Sequence, residues 1–120
     1  TPRMLEAYTR LHRLGFAHSV EARLDGRLVG GVYGVSIRGL FAAESKFYRE
    51  RDASKVALAF LVAHLRARGF LLLDLQMVTS HTQRLGAIEI SRREYLDRLA
   101  RALEQDVAFG DRLLIKAGDF

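Results

Sequence analysis

Residues 17–48 read AHSVEARLDGRLVGGVYGVSIRGLFAAESKFY. Residues 17–24 alternate in character as a strand does, and Asp25-Gly26 directly after them is a strong signal for a two-residue hairpin turn. The return strand is predicted from Arg27 to Val35. A turn near residues 36–39 then leads to a third strand over residues 40–48, so this stretch predicts a three-stranded antiparallel meander.

Glycines interrupt the return strand at Gly30, Gly31 and Gly34. Glycine inside a strand often marks a bulge, or a place where another backbone or a ligand comes close. We therefore expect an irregularity or a close approach in this part of the sheet.

A helix is predicted on each side of the meander. Leu5, Tyr8 and Leu11 follow helical spacing, which predicts a helix over residues 3–14 that ends at Gly15.

The second helix is predicted over residues 53–68, where one stripe of apolar residues repeats at helical spacing: Leu58, Leu61, Val62 and Leu65. Asp52 is its candidate N-cap, and Gly69 is the expected stop.

The rest of the chain carries weaker strand and helix signals. Residues 70–75 are apolar except for Asp74, which is typical of a strand covered on both faces, and Gln76 closes it. A short helix is expected to open at Ser80 and to end near Gly86.

A last helix is predicted to start at Ser91, because Ser91 and Glu94 have the spacing of a capping box. Its inward residues would be Leu96, Leu99, Ala100 and Leu103. A terminal strand is expected around residues 113–115. The resulting order of helix, meander, helix, strand and helix describes an α+β fold. It also matches the element order of the GNAT acetyltransferase superfamily, with residues 1–120 as a single domain.

Composition narrows the function classes. Half of the 120 residues are apolar, which is enough for one core, and no run approaches the roughly 18 apolar residues that a membrane span needs. The net charge of +5 and the sequence pI of about 10.1 suit an anionic partner such as RNA, although a solvated basic surface fits equally well.

The chain has no cysteine and four histidines without metal-ligand spacing, so neither a disulfide nor a zinc site is expected. No signal peptide is visible, and a cytoplasmic location is expected.

Short segments in a fixed order resemble the leucyl/phenylalanyl-tRNA–protein transferase family, over residues 7–99. The segments that carry the resemblance are Ala7-Tyr8 with Leu11-His12, residues 17–21, residues 28–35, Phe41 with Glu44-Ser45 and Phe47, Ala53-Ser54-Lys55 with Ala57-Leu58, Asp74 with Gln76, and His81 with Leu85-Gly86-Ala87, Ile90 and Arg92. Each is weak alone, whereas the ordered set is specific.

The resemblance implies the family's reaction, the transfer of Leu or Phe from charged tRNA to a protein that begins with Lys or Arg, which marks that protein for degradation. The partners would be aminoacyl-tRNA and such protein N-termini, and no metal or redox cofactor is implied. Family members also carry a further N-terminal stretch that helps to build the pocket. The resemblance therefore predicts a GNAT-like domain that lacks this portion, and leaves open a missing N-terminal segment or a second chain as a partner.

Three polar residues are the catalytic candidates. Asp74 and Gln76 are two apart on one strand and so share a face. The resemblance assigns them a relay in which Asp74 holds Gln76, and Gln76 accepts a hydrogen bond from the attacking amine. Taken alone, they would more often be a strand-end pair that satisfies backbone groups. Glu44 lies in an apolar strand and matches a pocket residue of the family, where it would receive an ammonium group. The alternative is an outward carboxylate that pairs with Lys46.

The amino-acid pocket must accept Leu or Phe and reject polar side chains, which apolar walls do. The family's pocket positions correspond here to Val32, Phe41, Leu58, Leu61, Leu65 and Leu73, to which we add Ser45 beside Glu44. Each apolar one would otherwise be ordinary core. Simple alternation places Phe41 and Glu44 on opposite faces, as it does Leu73 and Gln76, so a bulge or splayed strands would be needed.

Basic residues are candidates for contacts with tRNA phosphates, and for each a solvated basic face is an equal alternative: Arg49, Arg51, Lys55, Arg92 and Arg93.

Two other functions remain open. An acetyl-CoA-dependent N-acetyltransferase is disfavoured, because residues 49–54 read RERDAS and offer no glycine-rich turn for a pyrophosphate. A non-catalytic module that binds tRNA or peptide is the other.

Overall fold

The computed structural model describes residues 5–11, 16–50, 52–76, 78–110 and 113. Its centre is one mixed sheet of five strands in the order β1-β2-β3-β4-β5. The strands are β1 Leu5–Leu11, β2 Ala17–Leu24, β3 Arg27–Ile37, β4 Leu40–Tyr48 and β5 Leu72–Asp74. The helices are α1 Ala53–Arg68, α2 Ser80–Arg84 and α3 Arg92–Leu103. The predicted α+β class is confirmed. Within the described ranges, no helix is long and apolar enough to cross a bilayer.

The meander forms as predicted. β2, β3 and β4 pair antiparallel in sequence order. The first hairpin turns at Asp25 and Gly26, whose φ angles are 52° and 83°. Positive φ at both central residues is the geometry whose twist suits a two-residue hairpin, and Asp-Gly adopts it at low cost.

The predicted N-terminal helix is wrong. Residues Leu5–Leu11 form β1, which pairs antiparallel with β2 from Leu5 opposite Leu24 to Leu11 opposite His18. Three residues at helical spacing are a weak local signal. The edge of the neighbouring strand offers a full row of backbone hydrogen bonds, and this outweighs the helical signal. Tertiary context commonly outweighs local propensity in this way.

Helix α1 has the predicted bounds and the predicted apolar stripe. Leu58, Leu61 and Leu65 are buried against the sheet, and Gly69 ends the helix with φ 84°. The N-cap prediction is wrong in its chemistry. Asp52 occupies the position with φ 67° and makes no side-chain cap bond, because an N-cap carboxylate needs an extended backbone. Its Oδ1 lies 3.2 Å from Nζ of Lys55 instead.

The strand glycines mark close approaches, as predicted. A Cβ on Gly30 would lie 2.7 Å from the Cβ of Ala53, so the start of α1 rests directly on β3. A Cβ on Gly31 would lie 2.9 Å from the ring of Phe47 on β4. Gly30 therefore lets the helix pack on one face of the sheet, and Gly31 lets an aromatic ring cover the other.

The bulge required by the site residues is also present. Tyr33 pairs with Ser45 and Gly34 pairs with Ala43, which leaves Glu44 as the extra residue of β4. A bulge of this kind re-aims the side chains around it. Phe41 and Ala43 precede the bulge, share a face by ordinary alternation, and are both buried in the core, whereas Glu44 is exposed. The bulge therefore does not bring Glu44 to the face of Phe41.

Strand β5 is shorter and less buried than predicted. It spans Leu72–Asp74 and pairs in parallel with β4 at one edge of the sheet. All three of its residues are half-buried, and Leu71 before it is exposed. The prediction of a strand covered on both faces is therefore wrong. The physical reason is that a cavity lies against this segment, so its apolar residues serve partly as the cavity wall.

The two later helices begin where predicted, and their caps explain why. The Thr79 hydroxyl accepts from the Thr82 amide at 3.2 Å, and the Ser91 hydroxyl accepts from the Glu94 amide at 3.1 Å.

The predicted inward face of α3 is wrong in part. Leu99 is half-buried, but Leu96, Ala100 and Leu103 are exposed, whereas Ala102 is fully buried and Tyr95 is half-buried. Helix α3 meets the sheet at β4 and β5, so tertiary contacts rather than its apolar residues set its rotation. Of the predicted terminal strand, Leu113 is described outside any strand and the other residues lie outside the described part of the chain.

Phe109 completes the core from the C-terminal side. Its ring is 1% exposed and stacks on His18 with centroids 4.3 Å apart, while His64 meets its edge at 4.6 Å. Nε2 of His64 donates to the Phe109 carbonyl oxygen at 2.7 Å, since a carbonyl can only accept. The segment after α3 is thus held by both a ring and a backbone hydrogen bond.

This arrangement predicts a loss of stability on acidification. Burial lowers the pKa of His64 below its ordinary value of 6.5, against a smaller raising effect of its hydrogen bond to Phe109. The unfolded chain therefore takes up a proton that the folded chain refuses. The free energy of unfolding should fall as the pH drops below about 6.5, by at most about 1.4 kcal/mol per pH unit, until the folded His64 also protonates.

Urea unfolding at pH 7.5 and pH 5.5 measures this loss. The matched variant is His64→Gln, whose amide can donate to Phe109 but does not titrate. It should be less stable at pH 7.5 and should show a smaller drop between the two pH values. Equal drops in both proteins would assign the pH dependence to other groups.

Candidate active site

A cavity of about 670 Å³ lies between α1, β5, the segment 78–90 and α3. Its apolar wall includes Leu58 and Leu65 of α1 and Leu73 of β5. Polar side chains occupy the rest of the lining: Arg66, Asp74, Gln76, Thr82, Glu89, Tyr95 and Arg98. An apolar slot with a few convergent polar groups is the usual form of a small-ligand site.

Asp74 connects two elements of this wall. Its Oδ1 accepts from the backbone N–H of Gln76 at 2.9 Å, and its Oδ2 accepts from the hydroxyl of Tyr95 at 2.8 Å. The hydrogen bond to Asp74 is the main cause that raises the pKa of Tyr95 above its ordinary value, so that phenol stays protonated. Asp74 does hold Gln76, but through the main chain rather than through the side-chain amide that a relay would suggest.

Gln76 has an unusual backbone. Its φ is 68°, a left-handed conformation that residues other than Gly, Asn and Asp seldom adopt. The chain leaves β5 through a turn in which the Asp74 carboxylate replaces a backbone acceptor. This turn ends the strand alternation after Asp74, so Gln76 lines the same cavity as Leu73. The expected conflict between their faces is resolved in this way.

Glu44 and Ser45 lie at the bulge of β4. Both are exposed, and of the residues that the structure describes neither lines the cavity. The parallel pairing of β4 and β5 ends at Ala42 opposite Asp74. Glu44 and Gln76 therefore follow this last pair by two residues each, at the same end of neighbouring strands.

The proposed pocket residues divide into two groups. Leu58, Leu65 and Leu73 line the cavity. Val32, Phe41 and Leu61 are fully buried in the core, where Phe41 packs against the ring of Phe109 at 5.4 Å. Phe41 and Leu73 are neighbours across the β4–β5 pairing. The first group can touch a bound side chain, whereas the second can only support the wall.

The candidate tRNA contacts fall on different elements. Arg49 is exposed at the end of β4, and Lys55 at the start of α1 is exposed beside Asp52. Arg92 and Arg93 are exposed at the start of α3, and Arg51 lies outside the described residues. Each of the four that are described is accessible to a polyanion.

Tyr95 is the residue of this site that the sequence patterns do not single out. The spacing of α3 favours Leu96 and Leu103 as inward residues, and Tyr95 is separated from Asp74 by 21 positions. A Tyr one turn into a capped helix is the only local sign. Arg66 and Arg98 are likewise cavity residues without a sequence signal, and Arg98 donates to Glu94 Oε1 at 2.7 Å.

Comparison with known proteins agrees with the resemblance. The family model for leucyl/phenylalanyl-tRNA protein transferase matches residues 1–100. The leucyl/phenylalanyl-tRNA–protein transferase of Pelodictyon phaeoclathratiforme is 51% identical over 106 residues, which cover 88% of this chain and 55% of the relative. The transferase of that name from Rhizorhabdus wittichii is 59% identical over 102 residues, 85% of this chain and 41% of the relative. The transferase of that name from Phenylobacterium zucineum is 59% identical over 104 residues, which cover 87% of this chain and 47% of the relative.

The chain thus spans about half the length of the curated relatives that it matches. The matched residues include the strand pair that ends at Ala42 and Asp74 and the first nine residues of α3, among them Tyr95. The chain belongs to the leucyl/phenylalanyl-tRNA–protein transferase family.

Proposed function

We propose that this chain is the acyltransferase part of an enzyme that moves Leu or Phe from charged tRNA to the N-terminal Lys or Arg of a protein, as a degradation tag. The observation that carries the proposal is Gln76, held by Asp74 in a left-handed conformation on the wall of a cavity that has both apolar and polar lining residues. The antiparallel strands β2–β4, followed by α1 and the parallel β5, also support a GNAT-like acyltransferase fold. A cytoplasmic location is part of the same proposal.

The reaction is aminolysis of an ester. The neutral α-amine of the acceptor protein attacks the ester carbonyl carbon, a C–N bond forms, and the bond to the tRNA ribose oxygen breaks. The amine gives up one proton and the leaving ribose oxygen gains one. Because the ester is already activated, positioning of the two reactants supplies much of the rate.

In this scheme the Gln76 side-chain carbonyl accepts a hydrogen bond from the attacking amine and orients its lone pair toward the ester. The Leu or Phe side chain occupies the slot lined by Leu58, Leu65 and Leu73. Apolar walls reject polar amino acids because they leave polar groups without hydrogen-bond partners. Val32, Phe41 and Leu61 support this wall from the core.

Glu44 is proposed to receive an ammonium group at the rim of the site. The β4–β5 register brings Glu44 and Gln76 to the same end of two neighbouring strands, and the bulge leaves the Glu44 carboxylate in solvent. A carboxylate there can bind the α-ammonium of the aminoacyl group without the cost of burial. Ser45 is the adjacent hydrogen-bonding group.

Contacts with the tRNA backbone are proposed for the exposed Arg49, Lys55, Arg92 and Arg93, and for Arg51. The net charge of +5 supports this, because cations that neutralise phosphates release counterions. Binding should accordingly weaken as salt increases. A binding module without catalysis would show the same salt dependence and no transfer.

Transfer of radiolabelled Leu or Phe from charged tRNA to a peptide that begins with Arg tests the proposal. The intact, folded chain should label this peptide and should not label a matched peptide that begins with Asp. Gln76→Ala should reduce labelling by at least about 100-fold, the lower range of acid–base effects. Binding of tRNA with no labelling would favour the non-catalytic module. Retention on CoA resin would instead favour an acetyltransferase.

A further inference from the structure

We propose that Tyr95 is a positioning residue for this transfer: its hydroxyl holds Asp74, and Asp74 in turn fixes the turn that presents Gln76 to the cavity. The inference rests on the proposed function for its effect on rate. Its structural part stands on the described contacts alone. Nothing in the sequence patterns assigns a role to Tyr95.

The contacts form an unbroken chain from α3 to Gln76. The Tyr95 hydroxyl donates to Asp74 Oδ2 at 2.8 Å, and Asp74 Oδ1 accepts from the Gln76 amide at 2.9 Å. Each carboxylate oxygen thus has one fixed donor. Two donors on opposite oxygens define the rotation of the carboxylate group, whereas one donor leaves it free to turn.

Tyr95 is itself held firmly. Its backbone amide donates to the Ser91 carbonyl at 2.9 Å in the first turn of α3, and the Ser91 hydroxyl caps that turn at the Glu94 amide. A tyrosine side chain has only two torsions to fix, and the hydrogen bond from its hydroxyl to Asp74 holds the far end of its half-buried ring. Helix α3 can therefore act as a rigid support for Asp74, which sits on the shortest strand of the sheet.

Gln76 needs this support. A left-handed non-glycine residue carries a backbone cost of about 1–3 kcal/mol and persists only when its surroundings impose it. Its backbone N–H donates to Asp74 Oδ1, the hydrogen bond that holds the Gln76 main chain within the described part of the chain. If Asp74 turns away, the backbone at Gln76 can relax toward an ordinary conformation, and its side chain leaves the wall of the cavity.

Exchange of the Gln76 backbone amide with solvent, followed by NMR, reports the turn directly. Tyr95→Phe keeps the ring and removes only the hydroxyl. It should accelerate exchange at Gln76 by about tenfold, as expected when a bond to a charged acceptor is weakened. Exchange at the buried Ala102 of α3 should not change, which shows that the helix is intact. Tyr48→Phe, at an exposed tyrosine on β4, is the matched control.

Transfer kinetics test the second step. Tyr95→Phe should lower kcat by about tenfold and leave the KM for charged tRNA unchanged, because the variant changes orientation rather than binding. Unchanged exchange at Gln76 overturns the inference, as does faster exchange with an unchanged kcat. If the wild-type chain gives no transfer, the proposed function fails separately, and the exchange measurement still decides whether Tyr95 holds the turn.

Discussion

Phe109→Ala should destabilise the protein by about 3–5 kcal/mol, the usual cost of removing a fully buried phenylalanine ring. The ring is 1% exposed and fills the space between His18, Phe41 and His64. Alanine would leave a cavity lined by two imidazole rings, which bury polar atoms as well as apolar ones. The hydrogen bond from the His64 side chain to the carbonyl oxygen of residue 109 would also lose the packing that aligns it.

Urea unfolding followed by far-UV circular dichroism measures this loss. The matched control is Phe16→Ala, at a phenylalanine that is 61% exposed, which should change stability by less than about 1 kcal/mol. Similar losses in the two variants would contradict the role of Phe109 as the residue that closes the core. Retained transfer activity in folded Phe109→Ala would locate its effect in stability alone.

The parts of the fold that could be predicted are those with strong local causes. Asp25-Gly26 fixes a hairpin because both residues accept positive φ, and Gly69 ends α1 for the same reason. The apolar stripe of α1 and the cap at Ser91 are likewise properties of a few adjacent residues.

The parts that could not be predicted depend on distant partners. Leu5–Leu11 is a strand because β2 lies beside it, not because of its own spacing. Phe109 is a core residue because His64, 45 positions away, holds its carbonyl. No short window of sequence contains these causes, and a three-residue helical pattern was enough to mislead at β1.

The site shows the same division. Asp74 and Gln76 stand out as polar residues after an apolar run, and the resemblance adds a role to each. Strand alternation stops between Leu73 and Gln76 because Gln76 has a positive φ. A glutamine in the sequence does not predict a positive φ. Tyr95 reaches Asp74 only because α3 packs at the β4–β5 edge. Asp74 and Gln76 could therefore be named from the sequence, but Tyr95 and the hydrogen bonds that connect it to them could not.

Gln76→Gly should abolish most transfer while leaving the fold intact, a combination that few substitutions of a cavity residue would give. Removal of the amide that orients the attacking amine should cost about 100-fold or more in the rate of transfer. Glycine adopts a φ of 68° without steric cost, which offsets its larger entropy in the unfolded chain. The free energy of unfolding should therefore stay within about 1 kcal/mol of the wild type.

Single-turnover transfer to an Arg-starting peptide and urea unfolding of the same samples measure the two effects. Gln83→Ala, at an exposed amide on α2 outside the cavity wall, is the matched control and should change neither. Because glycine keeps the turn, lost transfer in Gln76→Gly assigns the role to the side-chain amide rather than to the backbone. Near-normal transfer would mean that the turn itself, or Asp74 and Tyr95 without Gln76, positions the nucleophile, and the proposed role of the amide would have to be abandoned.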